Sequence, residues 1–117
     1  MEEEKVKAFF EKIEKEIKAF EEHVKAQGID YVYNQSYYIA LMQQLEYIFL
    51  DYMRDNPEDW EDVIENLSSI KTDNLCEAIL DDFKQYNHPE RYNFFEVEDT
   101  LEIIDNFIKT KGGNHNE

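Results

Sequence analysis

Few side chains in this 117-residue sequence have the type and spacing that catalysis requires. The three histidines, His23, His88 and His115, lie far apart, and no Glu-x-x-His or His-Glu-x-x-His motif is present. Cys76 lies on an apolar helix face without basic neighbours, which predicts a buried structural thiol rather than a reactive thiolate. The three glycines form no phosphate-binding loop. We therefore expect no catalytic residue, no metal site, no cofactor and no enzymatic activity.

One arrangement of carboxylates offers an enzymatic alternative. Glu58-x-x-Glu61 and Glu102-x-x-Asp105 each place two acids one helical turn apart, and Mg²⁺ prefers carboxylate and water ligands. In this respect the chain resembles the all-α nucleotide pyrophosphatases, which hold magnesium with such pairs on two helices. The 40 residues between the pairs exceed the separation expected in that family. A magnesium-dependent nucleotide pyrophosphatase is the remote alternative.

The distribution of charge is the most informative feature of the sequence. The formal net charge is −16, and 20 of the 28 acids follow Gly28, where only six Lys or Arg oppose them. The first 28 residues are nearly balanced, with eight Glu and six Lys. An acidic surface favours a basic protein as partner. Direct binding of DNA or RNA is not expected, because phosphate contacts need clusters of Lys and Arg.

The predicted partner-binding surface lies on two segments. The first segment is 51–65 and the second is 98–102. In the first, four acids at positions i, i+3, i+4 and i+7 share one helix face, which is about 10 Å long at 1.5 Å per residue. These acids are Glu58, Glu61, Asp62 and Glu65. Their axial spacing of roughly 3.5 Å resembles the ~3.4 Å between charges along one DNA strand. A solvated helix face is the alternative interpretation. The predicted residues are Asp51, Asp55, Glu58, Glu61, Asp62, Glu65, Glu98, Asp99 and Glu102.

These features predict an acidic inhibitor that occupies the nucleic-acid-binding surface of a basic protein, such as a nuclease or defence enzyme. In general character the chain is similar to acidic helical immunity proteins and phage-encoded DNA-mimic inhibitors, a likeness of composition that involves no motif. The alternative is a structural or regulatory module whose first helix pairs with another copy of the chain, in a homodimer, or with another helix, while the acidity serves solubility.

Hydrophobic periodicity predicts an all-α, single-domain bundle of four to five helices over residues 1–111, followed by a flexible tail at 112–117. The first helix spans 3–27 and ends at Gly28. It carries a narrow apolar seam that either packs inside the domain or forms an intermolecular coiled coil. The seam consists of Val6, Phe10, Ile13, Ile17, Phe20 and Val24.

The second helix is predicted from Asn34 or Ser36 to about Asp55, at the centre of the bundle. Its core face is wide and consists of Tyr38, Leu41, Met42, Leu45, Ile48, Phe49, Tyr52 and Met53. Tyr31, Tyr33 and Tyr37 are interpreted as the approach to this helix, with a binding site as the alternative.

Three further helices complete the predicted bundle. The third begins with Asn56 as N-cap and Pro57 at its first position. The fourth follows a cap at Thr72 or Asp73 and extends to about Tyr86, and the fifth spans Glu96–Lys109. In chain order, their inward residues are Trp60, Val63, Ile64 and Leu67; Leu75, Cys76, Ile79, Leu80 and Phe83; and Val97, Leu101, Ile104 and Ile108.

An aromatic segment lies between the fourth and fifth predicted helices. Its residues either cap the core or form an interface hot spot. They are Tyr86, Arg91, Tyr92, Phe94 and Phe95.

The sequence also indicates where the protein works. A single cysteine excludes an internal disulfide, and the acidic N-terminus lacks the basic and apolar regions of a signal peptide. The longest wholly apolar run, at positions 37–42, is far shorter than the ~20 residues of a membrane span. We therefore expect a cytoplasmic protein that does not cross a membrane.

Overall fold

The computed structural model describes residues 3–86 and 93–111, and within them all regular structure is helical. The α-helices are α1 (Glu3–Gln27), α2 (Ile29–Asn34), α3 (Ser36–Glu46), α4 (Glu61–Ser68), α5 (Leu75–Tyr86) and α6 (Val97–Lys111). A π segment (Tyr47–Met53) continues α3, and a 3₁₀ turn (Pro57–Trp60) precedes α4. The all-α prediction is confirmed. The predicted tail at 112–117 lies outside the described residues.

The longest helix, α1, lies at the centre of the bundle. It packs against α2, α3, α4, α5 and the π segment, so the central place predicted for the second helix is shared by α1. Phe10, Ile13 and Ile17 of the predicted seam are buried, and Phe9, which the seam did not include, is buried beside Phe49 with ring centroids 5.8 Å apart. The middle of the seam thus packs inside the domain. A coiled coil with another molecule would require these side chains to be exposed in the single chain.

The short helix α2 was missed by the sequence analysis, since six residues show no sustained period. It follows Gly28, whose φ of 92° and ψ of 180° belong to a region that glycine alone adopts readily. The predicted end of the first helix at Gly28 is therefore confirmed. The chain turns there, and α2 packs against α1 and α3, with the ring of Tyr31 5.5 Å from that of His23.

The π segment changes which residues of the second predicted helix face the core. Its wider turns rotate the later side chains relative to an α-helix. Ile48, Phe49 and Met53 are buried as predicted. The prediction for Tyr52 is wrong, because this side chain is 39% exposed while Leu50 is buried. Tyr38 at the start of α3 is half-buried and packs against Phe20.

The third predicted helix begins later than the sequence indicated. Residues from Pro57 form a 3₁₀ turn, and the side chain of Asn56 makes no capping hydrogen bond. Instead the backbone carbonyl of Asn56 accepts the N–H of Asp59 at 3.1 Å. The α-helical conformation starts at Glu61, after Trp60, whose half-buried ring lies 5.6 Å from that of Tyr52.

Helices α5 and α6 follow the predicted pattern more closely. All five predicted core residues of α5 are buried, and the hydroxyl of Thr72 accepts the N–H of Asn74 just before the helix begins. On α6, Val97 and Leu101 are only partly buried, whereas Ile103 and Phe107 are buried and were not predicted. The inward face of α6 is therefore rotated and broader than a single stripe. The helix also extends two residues beyond Lys109.

Phe94 caps the core, as one of the two interpretations of the aromatic segment predicted. Its side chain is buried, and its ring lies 5.0 Å from that of Phe83. The hydroxyl of buried Thr100 is within hydrogen-bonding distance of the Phe94 and Glu96 carbonyl oxygens, and it accepts a hydrogen bond from Gln44 Nε2 at 3.1 Å. This hydroxyl joins α3, α6 and the turn between α5 and α6.

The predictions for Arg91, Tyr92 and the side chain of Tyr86 lie outside what the structure describes. Within residues 3–86 and 93–111, no helix combines the length and apolar character that crossing a bilayer requires.

Replacing Thr100 by Val should destabilise the fold by about 1–3 kcal/mol, because the buried carbonyl of Phe94 and the amide of Gln44 lose a partner while the side-chain volume is retained. Urea unfolding measures the difference. Thr100→Ser, which keeps the hydroxyl, is the control and should lose less. Equal stability of wild type and Thr100→Val would show that these hydrogen bonds contribute nothing.

Candidate partner-binding surface

The acidic residues between 51 and 65 form a continuous exposed surface, which we call the first acidic cluster. It comprises Asp51, Asp55, Glu58, Asp59, Glu61, Asp62 and Glu65, all exposed. They are carried by consecutive elements: the π segment, the loop after it, the 3₁₀ turn and α4. The π segment packs against the 3₁₀ turn, which in turn packs against α4. The structure thus brings together the first six predicted residues in one region.

The first acidic cluster is not the single-helix stripe that the sequence predicted. Glu58 belongs to the 3₁₀ turn, so only Glu61, Asp62 and Glu65 share a face of one α-helix. Because the 3₁₀ turn rises about 2.0 Å per residue, the regular spacing expected across 58–65 is lost. Asp59, which the α-helical period left off the stripe, is exposed as well. The surface is therefore broader and less regular than predicted.

The only basic residue within 51–65 is Arg54, and it is engaged by α1. Its Nη1 lies 3.7 Å from Oε1 of Glu14. Seven acids and one arginine give this 15-residue segment a formal charge of −6. The ion pair links the middle of the segment to α1 through two side chains that are both about half exposed.

The second acidic cluster, Glu98, Asp99, Glu102 and Asp105, lies on α6, which packs against α4. Glu98 and Glu102 are exposed as predicted. Asp99 is partly buried, and its Oδ2 accepts the N–H of Asn93 at 2.8 Å, so this carboxylate helps to hold the start of α6. Asp105 lies 3.2 Å from the ammonium of Lys109. The second cluster thus lies beside α4, and two of its carboxylates contact groups of their own chain.

The acidic surface extends beyond the predicted residues to Glu46 at the end of α3. Partial burial raises the pKa of the Glu46 carboxyl, and the nearby charges of Glu21 and Asp51 raise it further. Glu46 was not selected from the sequence because it falls at the edge of an apolar stripe. Besides its partial burial, the Glu46 carboxylate of α3 is thus repelled by one carboxylate of α1 and one of the π segment.

The four acids of the magnesium hypothesis do not converge. Within residues 3–86 and 93–111, no group of three or more His, Cys, Asp or Glu side chains is placed to hold a metal ion. Glu58 and Glu61 lie on different elements, and both are exposed. The resemblance to nucleotide pyrophosphatases thus extends to the spacing in the sequence and not to the arrangement in space.

Cys76 is buried, as predicted, with 1% of its surface exposed. Its backbone N–H donates to Oε1 of Glu16 at 2.9 Å. Burial raises the pKa of the thiol well above its usual value, and the negative charge of Glu16 acts in the same direction. The thiol therefore stays protonated and packs as an apolar side chain.

No protein-family model matches the chain, and neither a curated protein nor a solved structure shows significant similarity to it. The fold and the charge distribution are thus the observations from which a function can be argued. Of these, the first acidic cluster is the largest concentration of like charge among the described residues.

Replacing Glu46 by Gln should raise the free energy of unfolding at pH 7 by a few tenths of a kcal/mol, because it removes the repulsion from Glu21 and Asp51. The gain is small because the side chain is only partly buried and solvent screens the charges. The raised pKa means that the fold disfavours the ionised form of Glu46. The destabilisation is therefore present above the folded pKa and vanishes below the unfolded value of about 4.3.

Thermal unfolding of both proteins at pH 7 and near pH 4 measures this difference. Glu65→Gln, which removes one charge from an exposed position of α4, is the control for the change in net charge. A gain for Glu46→Gln that is no larger than the control, or that persists near pH 4, would contradict the assignment.

Proposed function

We propose that the protein binds the nucleic-acid-binding surface of a basic protein, such as a nuclease, through the first acidic cluster, and thereby inhibits it. The observation that carries the proposal is the exposure of all seven carboxylates between 51 and 65. The form of this function that we propose is a cytoplasmic protein of the immunity or phage anti-defence type.

The electrostatics of the cluster suit such a target. Clefts that bind DNA or RNA are lined by Lys and Arg, whose positive potential favours any dense array of anions. Seven carboxylates presented by the π segment, the loop after it, the 3₁₀ turn and α4 supply such an array, although without the regular spacing of phosphates. Association between oppositely charged surfaces is accelerated by steering and weakens as salt screens the charges.

The scaffold beneath the cluster supports this proposal. Met53 of the π segment and Ile64 and Leu67 of α4 are buried, and Trp60 packs its half-buried ring on Tyr52. These contacts hold the backbone that carries the carboxylates. Binding then costs mainly the ordering of exposed side chains, because the elements themselves are already packed.

Reversing Glu58, Glu61, Asp62 and Glu65 to Lys should abolish binding to the partner, because four attractive charges become repulsive. Wild type and variant are immobilised and exposed to lysate of the source organism and of its competitors at about 50 and 500 mM salt. We expect wild type to retain a basic nucleic-acid-binding protein at the lower concentration. The purified pair is then titrated directly, with duplex DNA as competitor and nucleic-acid cleavage as readout.

The matched control reverses Glu3, Glu4, Glu11 and Glu22, which are exposed acids of α1. Both sets change the net charge equally and include two acids in the first turn of a helix. Circular dichroism verifies that both variants are folded. Binding that survives the reversal in 58–65, fails equally in the control, or is unaffected by DNA would refute the proposal.

A further inference from the structure

The longest uncharged stretch of the chain is only partly used in the core. Positions 31–45 contain no Asp, Glu, Lys, Arg or His, in a chain with 28 acidic and 12 basic residues. Several large apolar side chains in and beside the first half of this stretch face solvent. They are Ile29 (82% exposed), Val32 (40%), Tyr33 (74%) and Tyr37 (53%), together with Phe95 (48%). We call these five residues the apolar stripe.

The apolar stripe is carried by two consecutive helices and the turn before α6. Ile29, Val32 and Tyr33 stand at positions i, i+3 and i+4 of α2 and therefore share one face of that helix. The backbone continues from α2 into α3 through Gln35, whose N–H donates to Tyr31 and whose carbonyl accepts from Ile39, both at 2.9 Å. Tyr37 is exposed in the first turn of α3, directly after this junction.

Phe95 joins the stripe from the turn before α6. Its ring centroid lies 6.3 Å from that of Tyr37, in an edge-to-face arrangement. Other residues of α2 and α3 face α1: Tyr31 packs against His23, and Tyr38 packs against Phe20. The stripe is therefore not a frayed part of the core, but a second face of α2 and α3.

The stripe has the size and composition of an interface core. With aromatic side chains offering about 150–250 Å² each, it presents roughly 500 Å² of apolar surface, at the upper end of what monomeric proteins expose. Depletion of charge and enrichment of Tyr and Phe are typical of interface cores. Exposed Asn34, Gln35 and Ser36 provide an uncharged polar rim. The stripe alone supplies more than half of the ~800 Å² that each partner buries in a standard interface.

We propose that the apolar stripe binds a second copy of this chain, in a two-fold symmetric dimer. Two molecules that each carry a charge of −16 repel one another, and the uncharged stretch is where they can approach with the fewest opposed carboxylates. A basic partner would find no acid at positions 31–45 to pair with. In a symmetric dimer the same patch meets itself, so neutrality on one side is matched by neutrality on the other.

The dimer should become more stable as salt is added. Asp30 and Glu96 are exposed beside the stripe, and the remaining acids of both copies repel at longer range. Salt screens that repulsion, because the Debye length falls from about 14 Å near 50 mM to about 4 Å near 500 mM. Binding of a basic partner through the first acidic cluster weakens with salt instead. The opposite salt dependences therefore allow each of the two proposals to be tested independently of the other.

Sedimentation velocity, with the wild-type chain from about 1 to 200 µM at both salt concentrations, tests the proposal. We expect a monomer–dimer equilibrium that shifts towards dimer at the higher salt. Tyr33→Lys should weaken the dimer by about a hundredfold, since the change places a charge in the patch of both copies. Tyr33 is largely exposed, so the substitution leaves the fold intact, as circular dichroism verifies.

Asn66→Lys is the matched control, because it adds the same charge at an exposed position of α4 away from the stripe. It should leave the dimer unchanged or slightly strengthened. A wild-type chain that stays monomeric under every condition overturns the proposal. So does a dimer that Tyr33→Lys and Asn66→Lys affect alike, which would place the interface elsewhere, or one that salt dissociates.

Discussion

The packing of α1 is the contact on which the other elements depend. The middle of its apolar seam lies within the core, and polar residues beside that seam hold the surrounding chain. Lys12 donates to the carbonyl of Thr72 at 2.7 Å, Glu16 accepts the N–H of Cys76 at 2.9 Å, and Glu14 pairs with Arg54. One helix thus positions the start of α5 and the segment that carries the first acidic cluster. These bonds are partly buried or reach across long sequence separations, so they specify the arrangement as well as stabilise it.

The charge distribution follows from this arrangement. A helix in contact with five other elements cannot carry a large excess of one charge without repelling them. The first 28 residues, with eight Glu and six Lys, are nearly balanced, whereas the acidic excess is carried by elements that touch fewer neighbours. Burial of large apolar side chains, among them Phe9, Phe49 and Phe107, offsets the remaining repulsion. The fold tolerates the acidic surface because burial of apolar side chains, rather than ion pairing, stabilises the core.

Long periodic segments were predictable from the sequence, and short irregular ones were not. The seam of α1 and the core face of α5 repeat over several turns, so local periodicity identified them. The π segment, the 3₁₀ turn and α2 span only four to seven residues each, which is too short for a sustained hydrophobic period. Tyr52 was misplaced for this reason, since the wider turns of a π segment change which side chains face the core.

The same distinction applies to the surfaces. Exposure of the carboxylates at 51–65 could be predicted, because acids on the side of a helix away from its apolar face remain in water. The bond from Asn93 to Asp99 could not, since it requires the conformation of the turn before α6. Tyr33 and Tyr37 of the apolar stripe were interpreted as the approach to the second helix, because sequence alone does not distinguish an inward face from an outward one on a short helix.

The two surfaces place opposite demands on the solvent, and this gives them separate physical signatures. The first acidic cluster gains from low salt, where a counter-charged surface is attracted from a distance. The apolar stripe gains from high salt, because its attraction comes from removing apolar area from water and its opposition comes from charge elsewhere. A chain with both surfaces can therefore associate with itself without using the carboxylates that attract a basic partner. If the stripe were lined with acids, repulsion between the two copies would oppose the dimer. The stripe would then also offer a basic partner a second binding site like the first acidic cluster.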